Sequence, residues 1–429
     1  MKDRGWPVAR LIRAWWRTRR LASTLHTRAD IERWQNRRIA RWMTEALPGI
    51  RYYTRLGARR LEDLPIVDKS VLMADFGAFN CAGIDGETGW RIFAGKDRAP
   101  AGFHVGASTG TSGNRGLYVI SDAERYEWLG VLLAKALPRY PFEGARIALV
   151  LPQVSALYSA TNRAPRLSLR FFDLKAGLET LAPAICDWKP DTLIAPPKVL
   201  RWLAERTPPT GIRRLFSGAE VLDAPDRAII ERVFKVPVRE IYMATEGLLG
   251  VACEHGTIHL LEDALHFELE PVGTDGLVSP IITDSTRTTQ IMARYRMNDL
   301  LRLRERPCPC GSPLRAVAEI VGRADDILLL PAIDGSRLVE VTPDVLRNVI
   351  LDCDGRITDF RVVQVGPDRL TLSLPEPLSD LGPGVCAAIE GLFLQLGIRA
   401  MTDFDVGLPA TGIAKVRRIE RRWRANGGT

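Results

Sequence analysis

The run Ser108-Thr109-Gly110-Thr111-Ser112-Gly113-Asn114-Arg115-Gly116 combines hydroxyls, glycines and one cation. Glycine lets backbone N–H groups close on an anion, and the hydroxyls add donors, so such a loop can hold phosphate. It lacks the G-x-x-x-x-G-K-[ST] pattern of a Walker A loop. Taken alone, it reads equally as a Ser/Gly-rich surface loop. A second set of residues suits a soft metal. Cys308-Pro309-Cys310-Gly311 puts two thiols on one turn, with Cys253, His255 and His259 about fifty residues earlier. Two thiolates from a tight turn plus a distant Cys/His pair suit tetrahedral zinc. The alternative is unpaired cysteines and a surface histidine. Cys81, Cys186, Cys353 and Cys386 show no ligand pattern and are expected in the core.

Further motifs follow in order. Ser217-Gly218-Ala219-Glu220 and Tyr242-Met243-Ala244-Thr245-Glu246-Gly247 each follow a predicted strand. Tyr295-Arg296-Met297-Asn298-Asp299-Leu300, Gly322-Arg323-Ala324-Asp325-Asp326 and Gly412-Ile413-Ala414-Lys415 come later. Together with Leu64-Pro65-Ile66-Val67-Asp68-Lys69 and the Cys308–Gly311 turn, this series resembles the acyl-adenylate-forming superfamily. Its phenylacetate–CoA ligase and coenzyme F390 synthetase-like branch is the most similar. The resemblance spans residues 30–420.

The resemblance implies a role for each motif. Ser108, Thr109, Gly110, Thr111, Ser112 and Gly113 would cradle the β,γ-phosphates of ATP. Arg115 would replace the lysine usual in that loop, since a guanidinium suits phosphate oxygens. Gly218, Ala219 and Glu220 would border the adenine and Tyr242 would stack on it. Thr245 would contact the α-phosphate, and Glu246 would hold Mg²⁺. Asp299 would accept from the ribose hydroxyls, with Arg323 nearby, and Asp325 would be the hinge of a mobile C-terminal domain. The family's catalytic lysine directly follows its glycine. Here Ile413 does, and Lys415 lies two residues further, on the same face of a strand and about 7 Å along it. Lys415 is therefore assigned the adenylation role. The family histidine precedes a segment like Leu260-Leu261-Glu262-Asp263, so the implied zinc set is Cys253, His259, Cys308 and Cys310.

The activity implied is ATP-dependent activation of a carboxylic acid, an aromatic one by resemblance, to acyl-AMP with release of pyrophosphate. The acyl group would then pass to a thiol, either coenzyme A or a carrier protein. Two alternatives stay open: AMP transfer to a hydroxyl acceptor, as in F390 synthetase, and a degenerate nucleotide-binding protein without turnover. A homodimer is also left open.

Elements that could position these residues are visible in the pattern. Ala123–Leu137 is helical, and short apolar strands are expected at 147–151, 192–195, 215–217 and 240–243. This alternation predicts a large α/β domain with mixed or parallel sheet. Past Gly322 the texture becomes that of a small α+β domain: strand 327–330, helix 342–352, strands 358–364 and 369–374, helix 383–396. The expected domains are 1–50, basic and helical; 51–322, binding ATP and substrate; and 323–429, mobile and carrying the lysine.

Charge is uneven. Residues 1–60 carry sixteen Lys/Arg and four Asp/Glu, a formal +12, so the remaining residues total −4 against the overall +8. The body of the chain is not a basic nucleic-acid binder. In the N-terminal segment, Val8, Leu11, Ile12, Trp15 and Trp16 recur at helical spacing between arginines. Such a helix either meets an anionic membrane or a partner or packs on its own domain. No run approaches the ~18–20 apolar residues of a membrane span, no secretory signal is read, and seven cysteines form no disulfide framework. A reduced, cytoplasmic setting is expected.

Overall fold

The computed structural model of the protein describes residues 7–108, 115–151, 166–273, 275–408 and 417–424. The chain forms two compact units. The first comprises residues 1–270, 280–297 and 303–318; the second comprises 271–279, 298–302 and 319–429. Each is α/β in character: a large mixed sheet in the first, smaller separate sheets in the second.

In the first unit five strands run parallel, in the spatial order Leu167–Asp173, Ala145–Leu151, Thr192–Ala195, Arg214–Gly218, Val238–Ala244. Parallel neighbours need long crossovers. Helices Leu178–Trp188, Pro197–Arg206 and Ala224–Phe234 lie between successive strands from Leu167 onward. Strands covered on both faces read as apolar runs rather than alternating ones. Accordingly Ala145, Ile147, Ala148, Leu149 and Val150 are all buried. The sheet then turns antiparallel. Val238–Ala244 pairs with Gly247–Ala252, and that strand with Ile258–Leu260.

Two N-terminal helices belong to this unit. Arg28–Glu45 starts at a capping box in which Thr27 and Asp30 satisfy each other's backbone N–H groups. Its Trp34 indole donates to the Asp263 carbonyl (3.0 Å) and its Trp42 indole to the Arg287 carbonyl (2.8 Å). Pro7–Thr24 buries Leu11, Ala14, Trp15 and Thr18 against helix Asp122–Ala136. The crossing is at Gly130, where a Cβ would lie 2.3 Å from the Leu11 carbonyl oxygen and 2.7 Å from the Ala14 methyl. No helix among the described residues is long and apolar enough to cross a membrane.

The second unit holds the hairpin Leu328–Pro331/Leu338–Val341 and a mixed four-stranded sheet. The sheet's order is Met401–Val406, Arg369–Leu374, Arg361–Gln364, Ile419–Arg421. Leu346 and Ile350 of helix Pro343–Cys353 join Ile389 and Phe393 of helix Gly382–Gln395 in one apolar core with Phe360, Leu370 and Leu372. The non-ligand cysteines depart from expectation: only Cys386 is buried, whereas Cys81 and Cys353 are exposed and Cys186 is half-buried.

The Gly130 crossing makes a prediction. Gly130→Val should lower stability by about 1–3 kcal/mol, the usual range for overpacking, read as a lower urea midpoint with unchanged slope. An unchanged midpoint would mean that the first helix does not pack there.

Candidate functional site

Ser108 and Gly116 adjoin the paired strands Phe103–Ala107 and Leu117–Ser121. Thr109, Gly110, Thr111, Ser112, Gly113 and Asn114 lie outside the described residues. The hairpin base is well defined. The Ser108 N–H donates to the Gly116 carbonyl (2.8 Å), and the Gly116 N–H donates to Ser108 Oγ (2.8 Å). The Lys69 ammonium reaches the same hydroxyl from the side, Nζ to Oγ 3.4 Å. A Cβ on Gly116 would sit 2.7 Å from Lys69 Cε, so glycine makes room for the lysine stem. Lys69 opens the helix Lys69–Ala74, whose first turn is capped by the Asp68 carboxylate accepting from Ser70 and Val71 N–H. Arg115 is exposed, with its guanidinium 6.0 Å from the centre of the Phe93 ring.

The next motifs gather at one edge of the parallel sheet. Arg214–Gly218 and Val238–Ala244 are parallel neighbours, so Ser217–Glu220 and Tyr242–Glu246 both lie at strand C-terminal ends. Open α/β sheets bind ligands at that edge. Ala219 has φ +71°, in the left-handed region where a β-carbon is strained. The hydroxyl of Ser217 is buried without a hydrogen-bond partner among the described residues. Tyr242 is buried and sits at a register shift in its strand. Thr245 and Glu246 are the two-residue loop of the hairpin closed by Ala244 and Gly247.

Glu246 accepts a hydrogen bond from the Tyr295 hydroxyl (3.1 Å). Tyr295 is in turn locked to the Leu64–Lys69 segment. The Arg296 N–H donates to the Val67 carbonyl (2.8 Å) and the Val67 N–H to the Arg294 carbonyl (3.0 Å). The first unit thus links Ser108, the Lys69 segment, Tyr295 and the Thr245–Glu246 turn through a chain of contacts. Sequence reasoning gave no role to Lys69 or Tyr295; both stood inside motifs, but only geometry relates them to Ser108 and Glu246.

In the second unit, Arg323 approaches Asp299, Nε to Oδ1 4.0 Å. The Asn298 side-chain amide donates to the Asp325 carboxylate (2.7 Å), and the Ala324 N–H donates to the Asn298 carbonyl (2.9 Å). The Asp299 and Asp325 motifs are therefore tied through Asn298. Burial pushes the adjacent Asp326 carboxyl up to about 6, against the opposing pull of its Arg417 partner. Lys415, with Gly412, Ile413 and Ala414, lies outside the described residues.

The side chains of Cys253, His259, Cys308 and Cys310 converge. Their ligand atoms all lie within 4.8 Å of one another, the one such His/Cys/Asp/Glu group among the described residues. Cys253 Sγ is 3.7 Å from Cys308 Sγ, and Cys310 Sγ is 3.2 Å from His259 Nε2. A sulfur–sulfur distance of 3.7 Å excludes a disulfide. Around zinc, ideal bond lengths give tetrahedral edges of about 3.5–3.8 Å, so the donor set fits. His259 Nδ1 donates to the Leu314 carbonyl (3.1 Å), which turns Nε2 toward the thiols. Two turns present the cysteines: Gly256 N–H to Cys253 C=O and Gly311 N–H to Cys308 C=O, both 3.0 Å. Each glycine is at φ +73°. Burial pushes Cys308 up, but hydrogen bonds from Cys310 N–H, Thr257 and His259 outweigh it and bring the thiol down to about 6. Burial, helped by the neighbouring sulfurs, pushes Cys310 up to about 12. Strand Gly247–Ala252 separates Cys253 from Glu246, roughly 20 Å at ~3.3 Å per residue. The cluster is remote from that turn and leaves no protein ligand position open.

No protein-family profile matches the sequence, and no curated protein sequence matches it. Solved structures do. The chain is similar to 2-hydroxyisobutyryl-CoA ligase in its postadenylation state with R3-HIB-AMP: TM-score 0.65, 20% identity, over 93% of this chain and 91% of that one. It is similar to the anthranilate CoA ligase AuaEII in complex with anthranoyl-AMP: TM-score 0.53, 12% identity, 73% and 64% covered. ATP-bound MatB from Rhodopseudomonas palustris gives TM-score 0.52 and 14% identity, with 72% and 65% covered. The strand order, the two units and these similarities identify the architecture as the fold of the adenylate-forming ligases.

Proposed function

We propose that this protein is an ATP-dependent acid–thiol ligase that makes an acyl-AMP and passes the acyl group to coenzyme A. The observation that carries the reading is the pair of contacts, in one unit, of Lys69 with Ser108 and of Tyr295 with Glu246, the latter at the C-terminal edge of the parallel strands. The fold shared with ligases crystallised with acyl-adenylates supports it. In the first step a carboxylate oxygen attacks the α-phosphorus, the bond from that phosphorus to the bridging oxygen breaks, and pyrophosphate leaves. In the second, a thiolate attacks the acyl carbon and AMP departs.

Each residue has a task on this reading. Lys69 and the hydroxyls of the 108–116 loop offset charge on the β,γ-phosphates, with Arg115 at the loop exit. Glu246 would hold Mg²⁺, which when bound neutralises phosphate charge. Tyr295 orients that carboxylate by donating to it. Ser217–Glu220 and Tyr242 enclose the base, Thr245 meets the α-phosphate, and Asp299 accepts from the ribose with Arg323 beside it. Asp325 is the hinge, and Lys415 stabilises charge at the α-phosphate. Cys253, His259, Cys308 and Cys310 hold a structural zinc.

The direct test is pyrophosphate release from ATP across a panel of aromatic and aliphatic carboxylic acids, followed by thioester analysis after adding coenzyme A. Acid-dependent pyrophosphate with no thioester would point to another acceptor. No pyrophosphate with any acid would leave a nucleotide-binding protein without turnover.

Further outcomes are expected of variants and of the metal. Tyr295→Phe should slow adenylation about tenfold, the scale of one hydrogen bond to a charged group, and raise the Mg²⁺ concentration needed for half-maximal rate. An unchanged Mg²⁺ dependence would remove Tyr295 from that role. Lys415→Ala should reduce adenylation by on the order of 10²–10³ while chemically made acyl-AMP is still converted to thioester. Equal loss of both steps would count against the assignment. Elemental analysis should find about one zinc per chain. Apparent zinc affinity should fall as pH is lowered, because protons compete with the metal for the cysteine thiolates and His259. Cys308→Ser should lower thermal stability and zinc content together, with less effect on the rate per folded enzyme. A fully folded, metal-free preparation would refute the zinc assignment.

A further inference from the structure

Helix Pro7–Thr24 buries one face and leaves the other to solvent. Leu11, Ala14, Trp15 and Thr18 face the domain, whereas Ile12, Arg13, Trp16, Arg19 and Arg20 are exposed. These exposed positions recur at three- and four-residue spacing and so form one stripe. Trp16 is 55% exposed, an unusual place for a large indole in a helix that already has a packed face. The patch extends beyond the helix. The buried Trp15 ring lies against both Trp16 (centroids 4.9 Å apart) and Phe142 (6.3 Å), and Phe142 is 64% exposed. Arg166, which donates to the Phe142 carbonyl (2.9 Å), adds a further cation at its margin. The helix carries five arginines and no carboxylate. Arg17 is paired with Glu127 (2.7 Å).

We propose that this face docks on an anionic lipid surface. Exposed aromatic and aliphatic side chains between arginines are what a membrane interface selects. Indole and phenyl rings settle at the headgroup level, while guanidinium groups stay among the phosphates. The sign of the charge chooses the partner, since each cation near an anionic leaflet strengthens the attraction. The helix is already folded against Asp122–Ala136, so its aromatic groups are presented without a further ordering cost. The proposal is independent of the adenylation chemistry, and docking places no demand on the strand-edge residues.

The test is sedimentation of the full chain with vesicles of phosphatidylcholine alone and of phosphatidylcholine containing phosphatidylglycerol. The protein should pellet with the anionic vesicles only, and high salt should release it. The combined variant R13E/R19E/R20E should lower partitioning at least about a hundredfold, and W16A/F142A about tenfold. Because all five side chains are exposed, far-UV circular dichroism and the thermal midpoint should stay at the parent values. The salt titration of the parent protein stands without any variant. Failure to pellet with anionic vesicles, equal pelleting with neutral ones, or binding unaffected by both variants would overturn the proposal. So would a parent protein that ignores vesicles but self-associates through this face, losing its dimer in W16A/F142A by sedimentation velocity.

Discussion

Strand Gly247–Ala252 is the constraint on which the first unit depends. All six of its residues are buried, it carries Glu246 at one end and Cys253 at the other, and it marks the change from parallel to antiparallel pairing. Its two neighbours crowd it. A Cβ at Gly250 would lie 2.8 Å from Ile258 Cγ2, 3.0 Å from the His259 carbonyl oxygen and 3.5 Å from Tyr242 Cβ. Only a residue without a side chain lets the Tyr242 strand and the His259 strand close on it together. The turn holding Glu246 and the cluster holding His259 are therefore set by one rigid element, with no flexible connection between them. A structural metal at one end would fix the register of the strand that presents Glu246 at the other.

The polar interior is organised around the residues that follow His259. Glu262 is completely buried in its side chain. It accepts from Arg28 (2.6 Å), Arg315 NH1 (2.9 Å) and the Arg315 N–H (2.6 Å). Gln35 donates to the Glu262 and Leu265 carbonyls, and Lys135 pairs with Asp263. A buried carboxylate left without such partners would cost several kcal/mol. The Arg28–Glu45 helix, the Asp122–Ala136 helix and the histidine strand are thus held in one mutual arrangement by directional bonds. Apolar packing alone tolerates sliding; this network does not.

The legible parts of the fold were those where burial dictates composition. Segments 147–151 and 192–195 stand out as apolar runs because nearly all of their residues are buried, whereas 215–217 and 240–243 read as shorter pieces of strands 214–218 and 238–244. The core helices of the second unit show their period because one face is fully buried. Strands His266–Val272, Asp299–Leu303 and Ala316–Arg323 were not read as strands. They alternate weakly between half-buried positions and carry many charges, so pairing partners far away in sequence decide their form. The thiol–imidazole set was legible as residue types, but spacing alone left His255 and His259 both open. What separates them is the buried pairing of His259 with Val251 and Ala316. Lys69 could not be related to Ser108 from sequence, because the contact joins two segments 39 residues apart through the conformation of a hairpin base.

Departures from local rules also point to the strand edge. Five non-glycine residues have positive φ among the described residues. Lys189 and Lys235 are left-handed C-caps that end helices, an ordinary use of that conformation. Arg166 and Arg294 have side chains held by carbonyl or carboxylate acceptors. Ala219 has neither explanation. It follows the strand whose Ser217 hydroxyl is buried and unbonded among the described residues, and it neighbours the strand whose register slips at Tyr242. Strain, an unsatisfied buried hydroxyl and a slipped register each cost stability. Sequences that are otherwise locally consistent concentrate such costs where binding requires them. Their coincidence with the Ser217–Glu220 and Tyr242–Glu246 motifs is evidence for the site that does not depend on resemblance to any other protein.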